Sequence, residues 1–144
     1  MADPRKLAPL ALAVLAACCP AGGQFIGTWQ IGTDTNAFTC AGVSGSNAIT
    51  GDITLASGTN GDIVSTDPDG CNLSWTVNGN TLTLVAGQSC GETANGVTSS
   101  VNFSSGSVTS TGAATLSGTL AGSGTFNIVA CTFSDTFSAT KVAN

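Results

Sequence analysis

Histidine and tyrosine are absent from this 144-residue chain, lysine and arginine together number three, and charged residues make up only 8%. Without histidine, a serine or cysteine nucleophile lacks its usual activating base, and zinc sites built from cysteine and histidine cannot form. Serine–lysine chemistry would rest on Lys141, which has no recognisable partner motif. Acid pairs for glycoside chemistry would come from Asp34, Asp52, Asp62, Asp67, Asp69, Glu92 and Asp135, most of which stand beside turn residues, where solvated acids are common. The sequence therefore reads as non-catalytic, with no metal and no cofactor. The scarcity of cations leaves nothing to neutralise phosphates, which excludes nucleic acid as a partner. Missing tyrosine also counts against an outer-membrane pore, whose interfaces carry girdles of aromatic residues. No stretch has a sustained helical period, so the main body is expected to be all-β.

What is present divides the chain in two. Arg5 and Lys6 precede the apolar run from Leu7 to Ala17, interrupted only by Pro9, and the run ends at Leu15-Ala16-Ala17-Cys18. That run is too short to cross a bilayer but suits a signal peptide, expected to be helical and then removed. Leu-Ala-Ala-Cys resembles the lipobox of bacterial lipoproteins. The resemblance implies cleavage after residue 17, lipidation of Cys18, and a membrane as partner through the lipid anchor. A residue other than Asp after Cys18 favours the outer membrane of the bacterial cell envelope over the inner one. A plain secretory leader with incidental cysteines is the alternative. On this reading residues 1–17 are signal peptide, 18–24 a lipidated tether and 25–144 one globular domain, too small for two cores.

In that domain Lys141 is the single cation against seven carboxylates, and Ser, Thr, Asn and Gly supply the polar surface. Cys40, Cys71, Cys90 and Cys131 form an even set in an exported chain, which predicts two disulfides. Three pairings are open. A meander joins successive segments, which favours Cys40 with Cys71 and Cys90 with Cys131. Cys71 with Cys90 lies out of reach if the intervening hairpin ladder continues, unless Gly87 breaks it.

Alternation of period two recurs along the domain. Phe25, Gly27, Trp29 and Ile31 share one face, as do Ile49, Ile53 and Leu55, then Cys71, Leu73, Trp75 and Val77. Asn78-Gly79 predicts a two-residue turn that sets Trp75 opposite Leu82 and Leu73 opposite Leu84. Further turns are expected at Ser44-Gly45, Asn60-Gly61, Asp67-Pro68-Asp69-Gly70, Asn95-Gly96 and Gly122-Ser123-Gly124. The intervening strands carry Val97, Val101 and Phe103, then Leu116 and Leu120, then Phe126 and Ile128, with a closing strand over 133–142. These signals predict an antiparallel meander closed into a small barrel of about eight to ten strands, with a β-sandwich as the alternative. Ser65 to Gly70 departs from an EF-hand loop, because Thr76 falls where a bidentate Glu is needed. Thr50, Thr54, Thr81 and Thr83 read as the wet side of a sheet.

Phe25-Ile26-Gly27-Thr28-Trp29 resembles the Gly-x-Trp opening of the lipocalins and their calycin relatives. The resemblance implies that Gly27 bends the chain at the barrel base and that Trp29 closes the base beneath a cation from the last strand, here Lys141. Trp29 as an ordinary core residue and Lys141 as a solvated strand-end lysine is the alternative. The same residues look like the opening of avidins, but the polar residues that hold biotin have no match. Together these features imply a lipid-anchored envelope protein that binds a small apolar ligand in or at the mouth of a β-barrel, with Trp75 as a candidate contact. The alternative is a non-catalytic structural or interaction domain whose core is filled. Cavity volume separates the two.

Overall fold

The computed structural model describes residues 21–59, 62–94 and 96–144; the expected signal helix, Cys18 and the Asn60-Gly61 turn lie outside the described residues. Among the described residues ten strands follow one another: β1 Gly27–Cys40, β2 Val43–Asn47, β3 Asp52–Ser57, β4 Ile63–Thr66, β5 Asn72–Asn78, β6 Thr81–Leu84, β7 Ser89–Ala94, β8 Val97–Gly112, β9 Thr115–Phe126 and β10 Val129–Ala143. Every pairing is antiparallel. The path β1-β3-β4-β5-β6-β8-β9-β10 returns to β1, so eight strands close into a barrel, while β2 and β7 pair onto β1 and β8 outside that ring. Closure excludes the sandwich alternative.

The barrel has walls of unequal height. The lower part of β1 pairs with β3 through Gly27 to Gln30, and its upper part pairs with β2 through Asn36 to Cys40. β8 likewise meets β6 near its lower end and β7 at its upper end. Long strands β1, β8, β9 and β10, extended sideways by β2 and β7, therefore rise as a tall wall. Short strands β3 to β6 form the low one. The base is shut by Phe25 and Trp29, both fully buried, with Ile63 and Leu82 packed against them. Ala21 to Phe25 turns beneath the ring, where Phe25 N–H donates to Gly22 O at 2.9 Å and Trp29 Nε1 donates to Phe25 O at 2.7 Å.

Several connections differ from the sequence reading. The β5–β6 hairpin pairs Trp75 with Leu84 and Val77 with Leu82, so its central residues are Gly79 and Asn80 instead of Asn78 and Gly79. Gly79 takes φ +59° while Asn80 does not adopt a positive φ. That pattern belongs to a type II′ turn with Gly in its first central place. Ser44-Gly45 lies inside β2, and the turn is Ala41-Gly42, both at positive φ. Gly122-Ser123-Gly124 lies inside β9, where Gly122 stands opposite Phe133 and a Cβ would meet that ring at 2.7 Å. There glycine makes room for an aromatic on the neighbouring strand instead of turning the chain. Ile128, expected on a strand face, occupies the β9–β10 turn and is 96% exposed.

The disulfides join Cys40 to Cys131 and Cys71 to Cys90, not the pairing favoured from chain order. Cys40 and Cys131 stand opposite each other on β1 and β10, which ring closure brings together. Cys71 and Cys90 meet because the β5–β6 ladder ends at Leu84 and the chain swings away at Gly87, at φ +79°. Gln88 compensates the lost ladder: its side-chain oxygen accepts from Ser74 N–H, and its amide donates to the carbonyls of Ser74 and Val85.

Candidate functional site

Above the base the barrel encloses a cavity of about 490 Å³. Its lower lining is apolar: Trp29, Leu55, Leu73, Trp75, Val108, Leu116 and Phe137 are all buried and face into it. Phe103 and Phe133 carry the lining up the tall wall, with ring centroids 5.8 Å apart in an edge-to-face contact. The Asp67 to Gly70 turn and the Cys71–Cys90 disulfide line it from the low wall.

Two kinds of sequence detail hold this space open. Gly118 lies opposite Phe137, and a Cβ there would stand 2.4 Å from the ring. Gly106 faces Leu120, Leu84 and Trp75 in the same way, with a Cβ 2.7 Å from Leu120. Rings laid across glycines give a thin wall and a wide lumen. The second detail is a bulge. The β1–β10 register shifts between Ile31 and Thr33, so inward positions run Trp29, Ile31 and then Asp34, Asn36. Such an insertion re-aims every side chain beyond it. Here it turns the Asp34 carboxylate into the cavity.

Asp34 there meets a second acid. Asp135 follows Phe133 and precedes Phe137 on the inward face of β10 and is 5% exposed. Asp34 Oδ1 accepts a hydrogen bond from Ile49 N–H at 2.8 Å, whereas Asp135 Oδ1 has no partner among the described residues. Burial chiefly, then the charge of Asp34 and a hydrogen bond with it, push the Asp135 carboxyl up to about 6, against a smaller downward pull from the Thr136 N–H. Adjacent carboxyls resist holding two charges at once.

Trp75, singled out from the sequence, lines the cavity while its Nε1 donates to the buried Ser65 Oγ at 2.8 Å. Gly27, Trp29 and Lys141 come together at the base: Lys141 Nζ lies 5.4 Å from the Trp29 ring centroid, and a Cβ on Gly27 would collide with the Lys141 side chain and Ala143 O. A cation at that distance over an indole contributes about 0.5–2 kcal/mol. Gly27 has φ +137°, a conformation that suits glycine.

The Asp67 carboxylate is engaged locally, accepting from Asp69 N–H at 3.0 Å and Cys71 N–H at 2.8 Å, an Asx turn that fixes the low lip. Its pKa is raised by burial, partly offset by the Cys71 N–H. No group of three or more metal-ligating side chains occurs among the described residues. Asp34 and Asp135 were not distinguishable from the other acids by turn context. The available signal was the spacing Phe133-x-Asp135-x-Phe137-x-Ala139, which places an acid on an otherwise apolar strand face. Compared with known proteins, the chain matches no protein-family model and no curated protein.

Proposed function

We propose that this chain is a lipid-anchored protein of the bacterial envelope, held at the outer membrane through Cys18, which takes a small apolar molecule into a lipocalin-like barrel without covalent chemistry. The observation that carries the reading is the cavity, about 490 Å³, closed below and walled by aromatic and aliphatic side chains. That volume falls in the usual range for small-molecule sites, and a core packed to ordinary density would leave no such space. Affinity would come from removing ligand apolar surface from water, at about 25 cal/mol per Å² before ordering costs.

The anchor adds an orientation. Gly22 is buried under the barrel, four residues after Cys18, and a chain extends at most about 3.5 Å per residue. The base would thus lie within about 15 Å of the lipid and the mouth would face away from it. Mass spectrometry of the intact protein, extracted from membranes of bacteria expressing the full chain, tests both parts. The expected species starts at Cys18, carries acyl chains, and under native conditions retains a small molecule. An unmodified terminus upstream of Cys18 would remove the membrane part of the proposal.

A second reading, a non-catalytic interaction domain acting through its outer surface, is favoured by the tip of the tall wall. Val43, Phe126 and Ile128 are 70%, 61% and 96% exposed there, beside the Cys40–Cys131 bridge. A cavity that takes up no apolar molecule, with a tip that binds another protein, would support it.

A further inference from the structure

We infer that the ligand carries a protonated amine on its apolar body, and that the free carboxylate oxygen of Asp135, with Asp34 beside it, receives that group. The inference rests on the apolar-ligand reading and narrows it to a chemical class. Four observations carry it. Asp135 is 95% buried by its 5% exposure and lines the cavity, and no protein group among the described residues bonds its Oδ1. A buried carboxylate oxygen without a protein partner has given up part of its solvation, which an arriving ammonium would offset. Asp34 already gives one oxygen to Ile49 N–H, so the pair presents acceptors and no fixed donor other than a shared proton. Charge complementarity points the same way, because among the described residues every charged side chain lining the cavity is acidic: Asp34, Asp67, Asp69 and Asp135. Lys141, the single cation among the described residues, sits six positions further along β10, over Trp29 at the base.

The geometry also sets a proton linkage. Among the described residues, Asp34 from β1 and Asp67 and Asp69 from the low lip are the titratable groups that share the cavity with Asp135. An ammonium and a proton compete for the same carboxyl, so amine binding expels the proton and weakens in acid. An alcohol of equal length makes no such exchange.

Three probes of equal chain length separate the outcomes: octylamine, octanol and octanoate, each titrated against the full-length protein by the emission of Trp29 and Trp75, which line the cavity. At pH 7.5 octylamine is expected to bind at least about tenfold more tightly than octanol, with octanoate weakest, as charge-assisted pairing in a desolvated site requires. Between pH 7.5 and pH 5 the preference for amine over alcohol should shrink several-fold. Asp135→Asn should bring the amine-to-alcohol ratio close to one, and Asp34→Asn should lower it less, with circular dichroism verifying that each variant is folded. Equal binding of octylamine and octanol by the wild type would overturn the inference and leave the apolar-ligand reading standing. Failure of all three probes to bind would overturn both.

Discussion

Asp135 is 5% exposed on the inward face of β10, and its Oδ1 has no partner among the described residues. Its pKa, raised to about 6 from the ordinary 3.8, means that between those values the folded protein holds a proton that the unfolded chain has released. Stability from this group is therefore full below about pH 4 and is lost as pH rises through 6. Asp67 is raised too and acts in the same direction. The melting temperature of the ligand-free protein should be higher at pH 5 than at pH 8, and Asp135→Asn should flatten that difference. A wild-type melting temperature that rises between pH 5 and pH 8 would contradict this assignment. Gly118 offers a second test at this scale. Gly118→Val forces a side chain into the Phe137 ring and should cost about 1–3 kcal/mol in urea denaturation, the usual penalty of overpacking. The closing strand over 133–142 was legible, but the sequence reading groups Asp135 with the turn-side acids; the spacing of Phe133, Phe137 and Ala139 around it was the unused sign of its inward face. Asp34 was less legible still: only a bulge that shifts the register after Ile31 turns it inward, and Gly32 is an ambiguous sign of one.

Among the elements, hairpins and bridges carry the constraints. The β9–β10 turn places Asn127 at φ +43° and Ile128 at φ +70°, a pair of left-handed residues that favours Asn-Gly. A β-branched residue there is strained, so Ile128→Gly should stabilise the protein by roughly 1 kcal/mol, read as a higher urea midpoint at constant slope. The Cys40–Cys131 bridge closes a separation of 91 residues against 19 for Cys71–Cys90. Paired replacement by alanine should cost about 2–5 kcal/mol for each bridge, measured by equilibrium unfolding. Strand existence was largely legible, since alternation and turn residues mark most of the ten segments. Their ends were less so. Glycine signals turns but also close approaches within a sheet: inside β9, Gly122 lies against the Phe133 ring and the Asn102 carbonyl, and Gly124 against the Ser100 carbonyl. Disulfide pairing was illegible for a related reason: it depends on ring closure and on the break at Gly87, neither of which is local.

For the molecule as a whole, closure of eight strands into one ring and the empty space inside it follow from different features. The ring follows from alternating apolar positions and tight turns, and a barrel of this size is just wide enough to be filled or to hold one ligand. Which of these occurs is decided by inward glycines beneath Phe137 and Phe133 and by Phe25 and Trp29 packing only the base. Sequence periodicity gives the face of each residue but not how far its side chain reaches across the lumen. Isothermal titration of the purified full chain with octanol at several temperatures addresses the cavity most directly. Saturable binding of one molecule per chain with a negative heat-capacity change, weakened by about tenfold or more when Val108→Phe fills the lumen, is the expected result. Absence of saturable heat, or binding indifferent to Val108→Phe, would contradict an open apolar interior that takes a ligand.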